Sequence, residues 1–179
     1  MEDAILREMM ELVGFPPDTS DGILAPGGTV SNLYAVLSAR LRACPELRLK
    51  GLNAGKPLVL FTSKHSHYSV HRSGVIAGLG LDNVVEIDVD ERGKMDTVKL
   101  EMAIEHSKAM GKLPFLVVAT AGTTVLGAYD PIEKIAHIAK AHNMWMHVDA
   151  AWGGGALMSA KHQHLLTGIE RYENEMIEF

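Results

Sequence analysis

Cysteine is nearly absent from this sequence: Cys44 is the single one among 179 residues. A lone thiol excludes an internal disulfide framework and a cysteine-rich zinc site, and it fits a reducing compartment. Basic residues are outnumbered by acidic ones, 17 against 22, for a formal charge of −5. Without a run of Lys and Arg there is no counterion-release footprint for nucleic acid and no polybasic patch for a membrane surface. Also lacking is any apolar run of the roughly 18 residues a membrane-spanning helix needs. The start, Met1-Glu2-Asp3-Ala4, is acidic and lacks the basic-then-apolar order of a signal peptide. No internal repeat, low-complexity stretch or Pro/Gly/Ser linker divides the chain. These absences predict a cytoplasmic protein, without membrane or nucleic-acid partners, acting on a small soluble ligand.

What is present suits a compact α/β domain. Hydrophobic residues make up 47% and charged ones 22% of the chain, ordinary for a globular protein. Ile5, Leu6, Met9, Met10 and Val13 fall at helical spacing over residues 2–13, and Gly14 with Pro16-Pro17 stops the pattern. A second helix is predicted from Pro26-Gly27-Gly28-Thr29 to Cys44, before Pro45. Apolar runs of strand length follow at 57–62, 84–88, 115–119 and 145–149, and helices are predicted between them at 68–79, 97–111 and after Pro131. Such alternation is the signature of parallel βαβ units with helices on both sheet faces. Ligands of such sheets bind beyond the carboxyl ends of the strands. That rim carries Thr62, Ser63, His65 and His67 after one strand, Thr120, Thr123 and Thr124 after another, and Asp149 after the last.

Gly27-Gly28-Thr29 at a helix entrance would offer bare backbone N–H groups and a hydroxyl to an anion such as phosphate. A plain turn capped by Thr29 is the simpler alternative. Gly78-Leu79-Gly80 is no dinucleotide fingerprint, because Asn83 takes the third glycine position and the pair follows a helix. His65, His67 and His71 lack a nearby carboxylate or thiolate to complete a metal site, and His162 and His164 sit on a polar stretch, so no metal is expected. His67 is better placed to lay its ring against a planar ligand. Asp149 closes an apolar strand and is followed by Ala150-Ala151 and Gly153-Gly154-Gly155, which leave room for a flat ligand. A carboxylate at such a place needs a cationic partner, and a protonated pyridine nitrogen would be one; the alternative is a cap for the next loop.

Five segments carry a specific resemblance: Ala25-Pro-Gly-Gly-Thr-Val-Ser-Asn32, Phe61-Thr-Ser-Lys-His-Ser-His-Tyr-Ser69, Asp90-Glu-Arg-Gly-Lys-Met95, Ala119-Thr-Ala-Gly-Thr-Thr-Val-Leu-Gly-Ala128 and His147-Val-Asp-Ala-Ala-Trp-Gly-Gly154. In order and nearly without gaps, they resemble the group II pyridoxal-phosphate-dependent amino-acid decarboxylases, above all the acidic-substrate branch of glutamate and cysteine sulfinate decarboxylases. The resemblance covers about residues 1–171 and implies part of the large, cofactor-binding domain of a fold-type I enzyme, with 172–179 a tail unlike the family. It implies that Gly28 and Thr29 hold the phosphate of pyridoxal 5'-phosphate. It further implies that His67 stacks on the pyridine ring near the reacting carbon, that Asp149 pairs with the ring nitrogen, and that Ala151 and Thr124 line the ring. The reaction implied is loss of the α-carboxyl of glutamate, cysteine sulfinate or aspartate, in a homodimeric parent.

The family also uses a lysine that bonds the cofactor, placed after an Asn-Pro-His motif beyond the pyridine-binding aspartate. None of the ten lysines follows such a motif, and the position projects just past Phe179. The expectation is that this chain alone does not decarboxylate. It is then either a segment of a working lyase or a non-catalytic short product that binds cofactor weakly or pairs with a full-length subunit. An unrelated nucleotide-binding module is a third, weaker reading.

Overall fold

The computed structural model describes residues 1–51, 55–170 and, for the backbone only, 175–178. Helix α1 spans Glu2–Val13 and ends at Gly14, whose φ of 93° is left-handed. Helix α2 spans Gly28–Ala43 and the short α3 spans Leu47–Lys50. Then come strand β1 (Leu58–Ser63), α4 (Ser69–Ile76), β2 (Val84–Ile87), α5 (Thr97–Ala109), β3 (Leu113–Thr120), α6 (Ile132–Ala141), β4 (Trp145–Asp149) and β5 (Glu175–Glu178). The five strands lie in the order β2-β1-β3-β4-β5, and every pairing is parallel.

Every residue of β1 is buried, as expected of a strand covered on both faces. On one face Val59, Phe61, Val117, Ala119, Met146 and Val148 pack against Leu100 and Ile104 of α5 and Ile135 and Ala139 of α6. On the other, Leu58, Leu60, Leu116 and Val118 pack against Val36 and Ala39 of α2 and Val70 of α4. The fold is therefore a three-layer α/β sandwich, in agreement with the sequence reading. β1 lies inside the sheet, with β2 on one side and β3 on the other. The chain thus reverses direction of travel between β1 and β3, and a crevice opens at the carboxyl ends there.

Differences from the expected boundaries have local causes. Helix α4 stops at Ile76, short of residue 79, because Gly78 and Gly80 adopt φ of 78° and 79°. Gly74 inside that helix is explained by packing: a Cβ there would stand 2.4 Å from Val84 Cγ2. β3 begins at Leu113, two residues earlier than its apolar run suggests, and passes through Pro114. Pairing with β1 slips between Val59↔Pro114 and Leu60↔Leu116, which makes Phe115 an extra, bulged residue. A bulge is where an interior strand tolerates a proline, since the missing N–H costs no ladder bond there. Residues 175–178, assigned from sequence to a tail, pair with β4 as strand β5. The proposed boundary at 171, together with 172–174 and 179, lies outside the described residues.

Candidate active site

Beyond the carboxyl ends of β3 and β4, under the start of α2, lies a cavity of about 240 Å³. The six residues given a cofactor role from sequence all line it: Gly28 and Thr29 from α2, His67 before α4, Thr124 after β3, and Asp149 with Ala151 after β4; of the other rim residues named from sequence, Thr62, Ser63, His65 and Thr123 do not. Four further residues complete the lining: Asn32, Thr120, Gly122 and Trp152. Ser63 and Thr123 have other tasks. Ser63 Oγ accepts the His65 N–H at 3.2 Å, and Thr123 Oγ1 accepts the Ala128 N–H at 3.0 Å.

At the helix entrance, Gly27 has φ 99° and ψ 157°, a backbone that glycine alone adopts without strain. The Val30 and Ser31 N–H groups both donate to the Gly27 carbonyl, at 2.9 and 3.3 Å. Those of Gly28 and Thr29 have no acceptor among the described residues. They are the free donors of a 16-residue helix, and they border the cavity at the positive end of its dipole.

The same cavity is lined by Asp149, only 6% exposed. Its Oδ2 accepts an N–H of Asn32 Nδ2 at 3.1 Å, and its Oδ1 accepts the Ala151 N–H at 3.3 Å. Neither donor carries a full charge, and no Lys, Arg or His pairs with this carboxylate among the described residues. A buried anion so placed favours a cation in the cavity. Thr120, paired with Asp149 across the sheet, adds a buried hydroxyl without a partner among the described residues. The lining thus offers N–H donors, a carboxylate without a cationic partner among the described residues, and an imidazole. A small aromatic cation carrying a phosphate fits that set.

His67 is held by α4. Its Nδ1 lies 2.8 Å from Ser69 Oγ and accepts the Ser69 N–H at 3.3 Å, and its ring centroid lies 4.2 Å from that of Tyr68. Ser69 Oγ also accepts an N–H of Asn32 at 3.1 Å. The Asn32 carbonyl oxygen faces His147 Nε2 at 2.7 Å. Asn32, Ser69 and His147 were missed in the sequence. The available signals were periodicities: Asn32 is one helical turn after Thr29, and His147 shares a strand face with Asp149.

One more buried carboxylate supports the rim. Asp130 accepts the N–H groups of Met95 at 2.7 Å and Thr120 at 2.8 Å. Burial pushes its pKa up to about 6, although the two N–H bonds favour the ionised form. Among the described residues no three His, Cys, Asp or Glu side chains converge on a point. His71 Nε2 instead faces Glu86 at 2.9 Å. No helix among the described residues is long and apolar enough to cross a membrane.

Comparison with known proteins places this geometry. Residues 1–174 match the family model described as the pyridoxal-dependent decarboxylase conserved domain. The chain is 48% identical over 174 residues to cysteine sulfinic acid decarboxylase of Rattus norvegicus, covering 97% of this chain and 35% of that protein. Its fold superposes on the crystal structure of mouse CSAD in apo form with a TM-score of 0.94 at 46% identity, over 99% of this chain and 37% of that one. On the glutamate decarboxylase domain from Vibrio parahaemolyticus the TM-score is 0.87 at 35% identity, over 99% and 40% of the two chains. The chain therefore spans a little over a third of the relatives it matches. With its parallel sheet and its crevice at the carboxyl ends of the strands, it belongs to the pyridoxal-dependent decarboxylase family.

Proposed function

We propose that these residues form the cofactor-binding part of a decarboxylase that removes the α-carboxyl group of an acidic amino acid, cysteine sulfinate, glutamate or aspartate. The observation that carries the reading is Asp149: a buried carboxylate facing a cavity, with two neutral N–H donors and no cationic side chain paired to it. The pyridine nitrogen of pyridoxal phosphate, kept protonated, would be its counterion. The Gly28 and Thr29 N–H groups would hold the phosphate at the α2 entrance. His67 would stack on the ring and hold a proton near the substrate, and Thr124 and Ala151 would bound the ring. When bound, the cofactor supplies an electron sink for the pair left behind as CO2 departs.

The 48% identity to a cysteine sulfinic acid decarboxylase supports an acidic substrate. No lysine lines the cavity among the described residues, so for these residues alone the reading is non-covalent cofactor binding without turnover. Turnover would require the parts that the longer relatives carry beyond the matched region, in an enzyme that the family likeness implies to be homodimeric and cytoplasmic.

Absorbance and fluorescence titration of the chain with pyridoxal phosphate tests the site. Asp149→Ala should weaken binding about tenfold or more, the loss expected for a charge-assisted contact worth about 1.5–3 kcal/mol. Absence of binding, or affinity indifferent to Asp149→Ala, overturns the reading. A longer parent that released CO2 from aromatic amino acids only would overturn the substrate class.

A further inference from the structure

We propose that Asn32 is a positioning residue that carries the charged state of Asp149 to His67 through Ser69, and so holds the imidazole as its Nε2–H tautomer. The catalytic meaning of this rests on the reading of the cavity given above; the hydrogen-bond logic does not. Asn32, Ser69, His147 and Asp149 are 2%, 0%, 0% and 6% exposed, and at such burial each donor must meet an acceptor.

An ionised carboxylate only accepts. The Asn32 group 3.1 Å from Asp149 Oδ2 must therefore be its NH2, which leaves its second N–H for Ser69 Oγ at 3.1 Å. The Asn32 oxygen then turns toward His147 Nε2 at 2.7 Å and requires a proton on that nitrogen. Ser69 Oγ, already accepting from Asn32, is left to donate its own hydrogen to His67 Nδ1 at 2.8 Å. The Ser69 N–H points at the same Nδ1 from 3.3 Å, so Nδ1 carries no proton. The His67 proton then sits on Nε2, which has no partner among the described residues, on a ring that lines the cavity. Reversing the Asn32 amide would set its oxygen against the Asp149 carboxylate, acceptor on acceptor. The charge on Asp149 thereby fixes the direction of every bond out to His67.

The test is long-range proton–nitrogen NMR on the full chain labelled with ¹⁵N-histidine, without cofactor, above about pH 8 where ordinary imidazoles are neutral. Wild type should show His67 in the Nε2–H form. Asn32→Leu and Ser69→Ala should each raise the Nδ1–H share about threefold or more, the factor that losing one net hydrogen bond implies. If Asn32→Leu fails to fold, Asn32→Ala replaces it, removing both N–H donors without placing a second acceptor against Asp149. A wild-type His67 in the Nδ1–H form overturns the proposal. So does a tautomer ratio unchanged in variants whose far-ultraviolet circular dichroism matches wild type. Pyridoxal phosphate affinity is read separately: its absence would overturn the cofactor site and leave the tautomer ratio as it stands, whereas an unchanged ratio would overturn the coupling and leave the affinity as it stands.

Discussion

Gly153 is the position where one methyl group should do the most damage. Its φ of −99° and ψ of −6° suit any residue, so alanine carries no conformational penalty there. The obstacle is contact. A Cβ at 153 would lie 2.2 Å from the Ala121 carbonyl oxygen and 2.7 Å from the Tyr129 hydroxyl, well inside the roughly 3.5 Å of an ordinary heavy-atom contact. Neither neighbour swings away easily. The Ala121 N–H is bonded to the Asp149 carbonyl at 2.8 Å, and Tyr129 Oη donates to the Gly153 carbonyl at 3.0 Å. Relief requires the loops after β3 and β4 to part by about an ångström, a backbone displacement at the upper end of the overpacking range, about 3 kcal/mol. For a chain of this size that lowers the melting temperature by about 6–12 °C. It also moves Gly122 away from Ala151 and Trp152, so affinity for pyridoxal phosphate should fall with stability. Gly155→Ala is the matched control: its Cβ would meet nothing closer than Met158 Cε at 3.9 Å, and it should gain about 0.5 kcal/mol by restricting the unfolded chain. Thermal and urea unfolding followed by circular dichroism measures both. A Gly153→Ala variant within about 0.5 kcal/mol of wild type, or a Gly155→Ala variant equally damaged, refutes the reasoning.

Two other perturbations have defined outcomes. Because burial raises the Asp130 pKa from 3.8 to about 6, the folded chain takes up this proton before the unfolded chain does. The stability from this group is full below about pH 4 and is lost as pH rises through about 6. Between pH 7 and pH 5 wild type should therefore gain about 1 kcal/mol relative to Asp130→Asn; parallel stability-versus-pH curves for the two would contradict the assignment. Gly74→Ala, whose Cβ would stand 2.4 Å from Val84 Cγ2, should cost about 1–3 kcal/mol. Adding Val84→Ala removes that clash, so denaturant unfolding of the double variant should show part of the loss recovered; purely additive losses would contradict the packing account.

The sequence made the layered sheet and most of the cavity lining legible because both are written locally. Apolar runs mark the strands, and Gly28, Thr29, His67 and Asp149 sit at element ends, where chemistry collects in such folds. What escaped was written at a distance. Asn32 looks like an ordinary polar residue of α2 until it meets Asp149, 117 positions later, and His147, 115 positions later. Asp130 reads as a helix-proximal acid until Met95, 35 positions earlier, donates to it. No periodicity reports such pairs. The start of β3 escaped for a different reason: Pro114 argues against a strand interior, and only the bulge at Phe115 permits it.

The separation of Asn32 from Asp149 also has a temporal consequence. A chain emerging from the ribosome in sequence order makes α2 and α4 early, with Asn32 and Ser69 already side by side, yet the carboxylate that orders them arrives only with the last residue of β4. Until then the second Asn32 N–H and the Asn32 oxygen lack the buried partners that β4 supplies, Asp149 and His147. A nascent chain stalled before β4 would therefore carry a half-built cleft where the folded chain has a buried, hydrogen-bonded cluster. The cavity lining is complete only once β4 and the residues just after it have docked beside β3, so in this architecture the site is among the later features of the sheet to form.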